Sequence, residues 1–159
     1  MNIQKELMLK GEMYNPMDSL LEKERIFCKD LCFEYNHTKP SNIELRKEIL
    51  LKILGKTGKN FIIEQNFWCD YGYNIEIGEN FYSNHNLVIL DCAKVIFKDN
   101  VFIGPDCSFY TALHPLEAQK RNNGLEYAKP ITVGSNVWFG GGVKVLPNVI
   151  IGDNCTIGA

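Results

Sequence analysis

The chain has no Cys-x-x-Cys pair, no basic cluster and no apolar run near the roughly 18 residues of a membrane helix. Each absence removes a class of function. Its six cysteines, Cys28, Cys32, Cys69, Cys92, Cys107 and Cys155, lack paired ligand spacings, which argues against cysteine-held zinc. They read as reduced thiols used as small hydrophobes. Cys28 and Cys32 share a face of a predicted helix but are badly placed for a disulfide within it. Histidine is scarce: His37, His85 and His114 stand 48 and 29 residues apart, a spacing that does not suggest a three-histidine zinc site. A net charge of −2 gives no electrostatic footprint for nucleic acid. The N-terminal residues are charged and then polar, unlike a signal peptide. The expectation is a cytoplasmic protein with no metal, no membrane span and no nucleic-acid partner. Its 159 residues suit one domain with a small appendage.

What is present falls into two parts. Residues 1–58 read as a helical segment. Asp18 or Ser19 caps a predicted helix carrying Leu20, Leu21, Phe27, Leu31 and Tyr35, and Pro40 bars its continuation. Ser41 and Glu44 have the spacing of a capping box before a stripe of Leu45, Ile49, Leu50, Ile53 and Leu54. Gly55 is the expected stop. The apolar faces of these helices need a partner, which residues 59–159 must supply.

There the apolar beat becomes six. It runs through Ile63, Cys69, Ile75, Phe81 and Leu87, then Val95, Val101 and Cys107, then Ile131, Val137, Val143, Val149 and Cys155. A companion series lies two residues on, at Val133, Phe139, Val145, Ile151 and Ile157. The step from Leu87 to Val95 is eight, which places two extra residues at a corner near Asp91 and Cys92. Six is neither the helical period nor that of one long strand. It fits short strands joined by tight turns, three to a triangular coil of about 18 residues, as in hexapeptide-repeat β-helices. Such a prism admits a ring of modest aliphatic side chains and little else. Function must therefore lie outside it, on a loop or between subunits.

The beat stops once, at "TALHPLEAQKRNNGLEYAKP", which predicts a protruding loop over 110–130. Pro115 biases His114 towards extended backbone, "RNNG" supplies a turn, and the register resumes at Ile131.

Three stretches carry a family resemblance: "MLKGEMYNP", "CDYGYNIEIGENFYSNHNLVILD", and the loop with the repeats after it. Together they resemble the maltose and galactoside O-acetyltransferase branch of the hexapeptide-repeat acyltransferases. The resemblance implies a left-handed parallel β-helix, a homotrimer with active sites between subunits, and acetyl transfer from acetyl-CoA to a sugar hydroxyl such as that of maltose or glucose. It makes His114 the general base, since histidine exchanges protons near neutrality. Direct attack in a ternary complex needs no serine or cysteine nucleophile. The resemblance also assigns Asn84 to the acceptor or the acetyl carbonyl, and Tyr82, Asp70 and Glu126 to acceptor binding. Trp138, Gly141 and Gly142 fall beside the acetyl group and the pantetheine arm, with the Gly141 N–H as oxyanion donor. Gly140 is accounted for by the repeat turn.

Two departures bear on this reading. Cys92 falls where the galactoside branch has aspartate. The family also continues past "IGDNCTIGA" by about one coil and a returning segment that grips coenzyme A, so the alternative is a catalytically impaired trimeric remnant.

Overall fold

A computed structural model describes residues 2–159. The N-terminal part holds three helices, α1 (Ile3–Lys10), α2 (Ser19–His37) and α3 (Ile43–Ile53). Helix α1 is an addition to the two expected from sequence. Asn2 caps it through Lys5 N–H, and Gly11 ends it in left-handed backbone at φ 71°. Asp18 caps α2 as expected, accepting from Leu20 and Leu21 N–H. The inward stripe of α2 differs from the expected one. Leu21, Cys28, Cys32 and Tyr35 are buried, while Phe27 faces out at 65% exposure. The predicted capping box does not form: α3 begins after Asn42 with no side-chain cap. Its stripe of Ile49, Leu50 and Ile53 is buried. Gly55 lies two residues beyond the helix, and its role is close approach. A Cβ there would stand 2.2 Å from the Tyr73 carbonyl oxygen.

The rest coils. Strands β1 (Phe61–Ile63), β2 (Phe67–Cys69) and β3 (Ile75–Ile77) make the first turn. Strands β4 (Phe81–Ser83), β5 (Leu87–Leu90) and β6 (Val95–Phe97) make the second. The third starts with β7 (Val101–Ile103) and β8 (Ser108–Tyr110). It then throws out β9 (Ala112–Leu113), the short helix α4 (Ala118–Asn122) and β10 (Tyr127–Ala128), and closes with β11 (Ile131–Val133). Strands β12 (Val137–Phe139), β13 (Lys144–Val145) and β14 (Ile150–Ile151) form the fourth, and β15 (Thr156–Ile157) follows.

Parallel pairing stacks the turns into three faces: β1-β4-β7-β12-β15, β2-β5-β8-β13 and β3-β6-β11-β14. Val137, Val143 and Val149 belong to successive faces and pack on one core. Upper turns span 18 residues, with Thr132 opposite Ile150, as the beat implies. Lower turns span 20, with Phe61 opposite Phe81 and Ile75 opposite Val95. The two extra residues therefore occur twice, at 70–74 and at 90–94. The unbroken beat through Cys69 and Ile75 conceals the first, because it passes from the second inward residue of one strand to the first of the next.

Turn chemistry is divided between two residue types. Asn80, Asn100, Asn136 and Asn154 take the left-handed backbone at one corner, at φ 56–61°. Their side chains form a ladder of amide hydrogen bonds of 3.0–3.1 Å up the prism. Glycine serves the approach between turns instead: a Cβ on Gly134 would lie 2.7 Å from the Gly152 carbonyl carbon. The core also exceeds the expected aliphatic rings. Phe81, Phe97, Phe109 and Phe139 run through it in edge-to-face contacts of 4.9–5.3 Å. No helix among the described residues is long and apolar enough to cross a membrane.

Candidate active site

The sequence-predicted site residues fall into two groups on different corners of the prism. The first lies where the β1-β4-β7-β12-β15 face turns into the next. Tyr82, Asn84, Trp138, Gly140 and Gly141 line a groove of about 440 Å³ there, joined by Phe102 and Pro105. Register builds it. Tyr82, Phe102 and Trp138 are consecutive outward rungs, and Asn84 follows β4 as Gly140 follows β12.

Two hydrogen-bond donors in this groove are free. The Asn84 side-chain oxygen accepts the His85 N–H at 2.7 Å, which turns the Asn84 amide nitrogen away from that contact. No described residue accepts from that nitrogen. Gly140 N–H donates to Ile157 O and Gly142 N–H to Pro105 O, both at 2.8 Å. The Gly141 N–H between them has no acceptor among the described residues. Gly142 itself has left-handed backbone, φ 77°, and open space where a Cβ would stand. His85, not a candidate in sequence, is outside the groove's lining, its Nδ1 against the Gln65 carbonyl.

Gly104 forms the floor. A Cβ on it would lie 2.7 Å from the Gly141 nitrogen and 2.9 Å from the Gly140 carbonyl carbon. Gly104→Ala is expected to push the 140–141 backbone outward and to lower turnover by roughly 10-fold or more. Steady-state kinetics beside a thermal melt check it, the melt showing that the fold survives.

The second group lies at the corner of the extra residues, where the loop departs. The loop is an ordered hairpin: β9 pairs antiparallel with β10, Leu113 opposite Tyr127. That register continued by one step sets His114 across from Glu126. His114 is exposed, and Pro115 behind it is buried. No described residue hydrogen-bonds the His114 ring. Glu126 is held by the N-terminal segment: Tyr14 exchanges backbone hydrogen bonds with it and donates its hydroxyl to the Glu126 carboxylate. Tyr14 is 1% exposed, and sequence reasoning missed it, although it lies in the "MLKGEMYNP" stretch. Cys92 Sγ sits 3.8 Å from Asp70 Oδ2.

Electrostatics at this corner follow from burial. Desolvation pushes the Asp70 carboxyl up, Lys29 pulls it back, and Glu126 adds to the rise. Burial also pushes up the Cys92 thiol, aided by Glu126 and Asp70. Asp91 props the corner from within. It accepts Asp70 and Tyr71 N–H at 3.0 and 2.8 Å, and burial raises its carboxyl to about 7, helped by the Asp70 charge and opposed by the Tyr71 and Asn74 N–H groups.

A parallel β-helix with a hairpin thrown from one corner and a glycine-floored groove at another defines a hexapeptide-repeat transferase scaffold. Residues 7–58 match the maltose acetyltransferase hexapeptide capping motif, and residues 130–159 match the bacterial transferase hexapeptide (six repeats). A solved maltose O-acetyltransferase from Clostridium difficile 630 is 48% identical, with 98% of this chain and 83% of that one covered at a TM-score of 0.97. The chain belongs to the maltose and galactoside O-acetyltransferase branch of the hexapeptide-repeat acyltransferases, and it is an acetyltransferase. The expected fold class, a left-handed parallel β-helix of hexapeptide repeats with N-terminal helices, is thereby met. A galactoside acetyltransferase solved with coenzyme A is 38% identical over 100% of this chain and 80% of its own, with a TM-score of 0.95. A hexapeptide-repeat acetyltransferase from Vibrio cholerae, solved with acetyl coenzyme A, is 31% identical at a TM-score of 0.88, over 98% of this chain and 84% of its own.

Proposed function

We propose that the protein transfers acetyl from acetyl-CoA to a hydroxyl of a maltose- or glucose-like sugar, in a homotrimer whose sites lie between copies. The observation that carries this reading is the division of the candidate residues. The oxyanion-type donors, Asn84 and Gly141, sit at one corner. The base and the acceptor carboxylates, His114, Asp70 and Glu126, sit at another. One substrate pair meets both sets when two copies bring unlike corners together. The outer rungs Ile62, Phe102 and Trp138 support such a seam, since they leave an apolar stripe 53, 48 and 57% exposed on the β1-β4-β7-β12-β15 face, beside the groove corner.

In this arrangement His114 takes the proton of the sugar hydroxyl as its oxygen attacks the thioester carbonyl carbon. Charge gathers on the carbonyl oxygen, where the Gly141 N–H and the Asn84 amide donate to it. The carbon–sulfur bond then breaks, and the imidazolium returns the proton to the departing coenzyme A thiolate. Asp70, Glu126 and Tyr82 orient the sugar, while Trp138 and Gly142 flank the pantetheine arm.

Free-thiol release from acetyl-CoA tests the proposal. Release that rises with added maltose or glucose and saturates, with acetyl found on the sugar, supports it. A rate indifferent to every sugar hydroxyl offered refutes the acceptor class.

A further inference from the structure

The fold assembles a cluster that the sequence spacing argued against. Cys28 and Cys32, one helical turn apart on α2, point at Cys69 on β2. Their Sγ atoms lie 3.4 and 3.8 Å from the Cys69 Sγ, and all three fall within 4.8 Å of one another. The three residues are 2, 0 and 3% exposed. Among the described residues no histidine or carboxylate joins the group. None of the three lines the groove or the loop corner.

We propose that Cys28, Cys32 and Cys69 form a trithiol site for one three-coordinate thiophilic ion, with trivalent arsenic as the species that fits it. Two arguments select that ion. The first is geometric. At a metal–sulfur length of about 2.3 Å, a planar three-coordinate centre sets its sulfurs about 4.0 Å apart, and a pyramidal one sets them closer. The 3.4 and 3.8 Å edges fall on the pyramidal side. The second is charge. Three thiolates leave a net negative charge around a monovalent or divalent ion, which is costly in so buried a place. Around a trivalent ion they leave none. A tetrahedral zinc site also lacks its fourth protein ligand here.

The exchange is balanced. Arsenous acid and three thiols give the trithiolate and three waters: three As–O and three S–H bonds break, and three As–S and three O–H bonds form. No atom changes oxidation state. The site clamps α2 to the strand end that leads directly into Asp70, so filling it pins the loop corner from behind. Burial makes loading wait on local opening of the α2–β2 contact.

The test is to incubate the reduced full-length chain with sodium arsenite without oxygen and follow intact mass and the thermal midpoint. The expected result is a single adduct of one arsenic less three protons, with a raised midpoint. Cys28→Ala, Cys32→Ala and Cys69→Ala each weaken binding by roughly 10²-fold, the loss of one arm of a three-arm chelate, while Cys155→Ser leaves it unchanged. Circular dichroism of each variant separates lost binding from lost folding. If all three variants misfold, the wild-type mass and the cysteines that arsenite shields from iodoacetamide when the loaded and unloaded chains are both unfolded decide: added protection of 28, 32 and 69 supports the site, and added protection of any other set overturns it. No adduct, an adduct unaffected by folded variants, or stoichiometric uptake of copper(I) but not arsenite overturns the proposal, as does formation of a Cys28–Cys69 disulfide alone.

Discussion

Replacing His114 with alanine is expected to lower turnover by ~10²-fold or more and to leave the fold intact. The size follows from the general-base role proposed for His114, since such a group acts in the transition state and contributes little to holding the ground state. The effect is therefore expected in kcat, with the KM for acetyl-CoA close to its original value. Structure makes this a clean experiment. The His114 ring is exposed and hydrogen-bonded to nothing among the described residues, so its removal opens no cavity. Pro115 is buried behind it, and the β9–β10 ladder keeps the hairpin in register without the imidazole. Thiol release at saturating sugar measures the change. A variant that keeps near-normal turnover removes His114 from the chemistry.

The second large effect concerns stability. Phe97→Ala is expected to cost about 3–5 kcal/mol, the usual cost of emptying a buried aromatic position. Phe97 is 1% exposed and makes edge-to-face contacts with Phe81 at 5.2 Å and Phe109 at 4.9 Å. The truncation breaks both contacts and leaves a void between two turns of a prism too narrow to collapse over it. A domain stable by some 5–15 kcal/mol loses a large share of that margin. Guanidinium unfolding at fixed protein concentration reads it, and Phe97→Leu should recover most of the loss by refilling volume. A shift under about 1 kcal/mol on alanine substitution would mean that the phenylalanines do not form the continuous column described here.

Much of the coil was legible because its core is periodic and local. Each strand contributes an inward residue every second position and each strand with its corner takes six, so Val137, Val143 and Val149 announce themselves. The loop was legible as the place where that beat fails. What escaped depends on distant partners. Phe27 and Cys28 are adjacent, and only the surface that α2 meets decides that the thiol turns in and the ring turns out. The first corner insertion hid because Cys69 and Ile75 happen to keep the beat across a change of register. Cys69 joins Cys28 and Cys32 across 41 and 37 residues, with no spacing rule to mark it. The candidate site divides in the same way. Residue types and motif resemblance picked out Tyr82, Asn84, Trp138 and Gly141, and the groove brings them together. Tyr14 was missed because its contact with Glu126 spans 112 residues. The freedom of the Gly141 N–H shows only once its neighbours' acceptors are known.

The central claim is that the two corners act together only across two copies, and subunit mixing tests it most directly. His114→Ala and Asn84→Ala chains, each nearly inactive alone, are unfolded together, refolded at equal amounts and assayed for sugar-dependent thiol release. If the site spans a seam, an assembly holding both variants has seams where an intact His114 meets an intact Asn84, and roughly a quarter of full activity returns on random mixing into closed rings. If mixed assemblies form and activity stays at the level of the separate variants, both residues serve one chain's own site and the account fails.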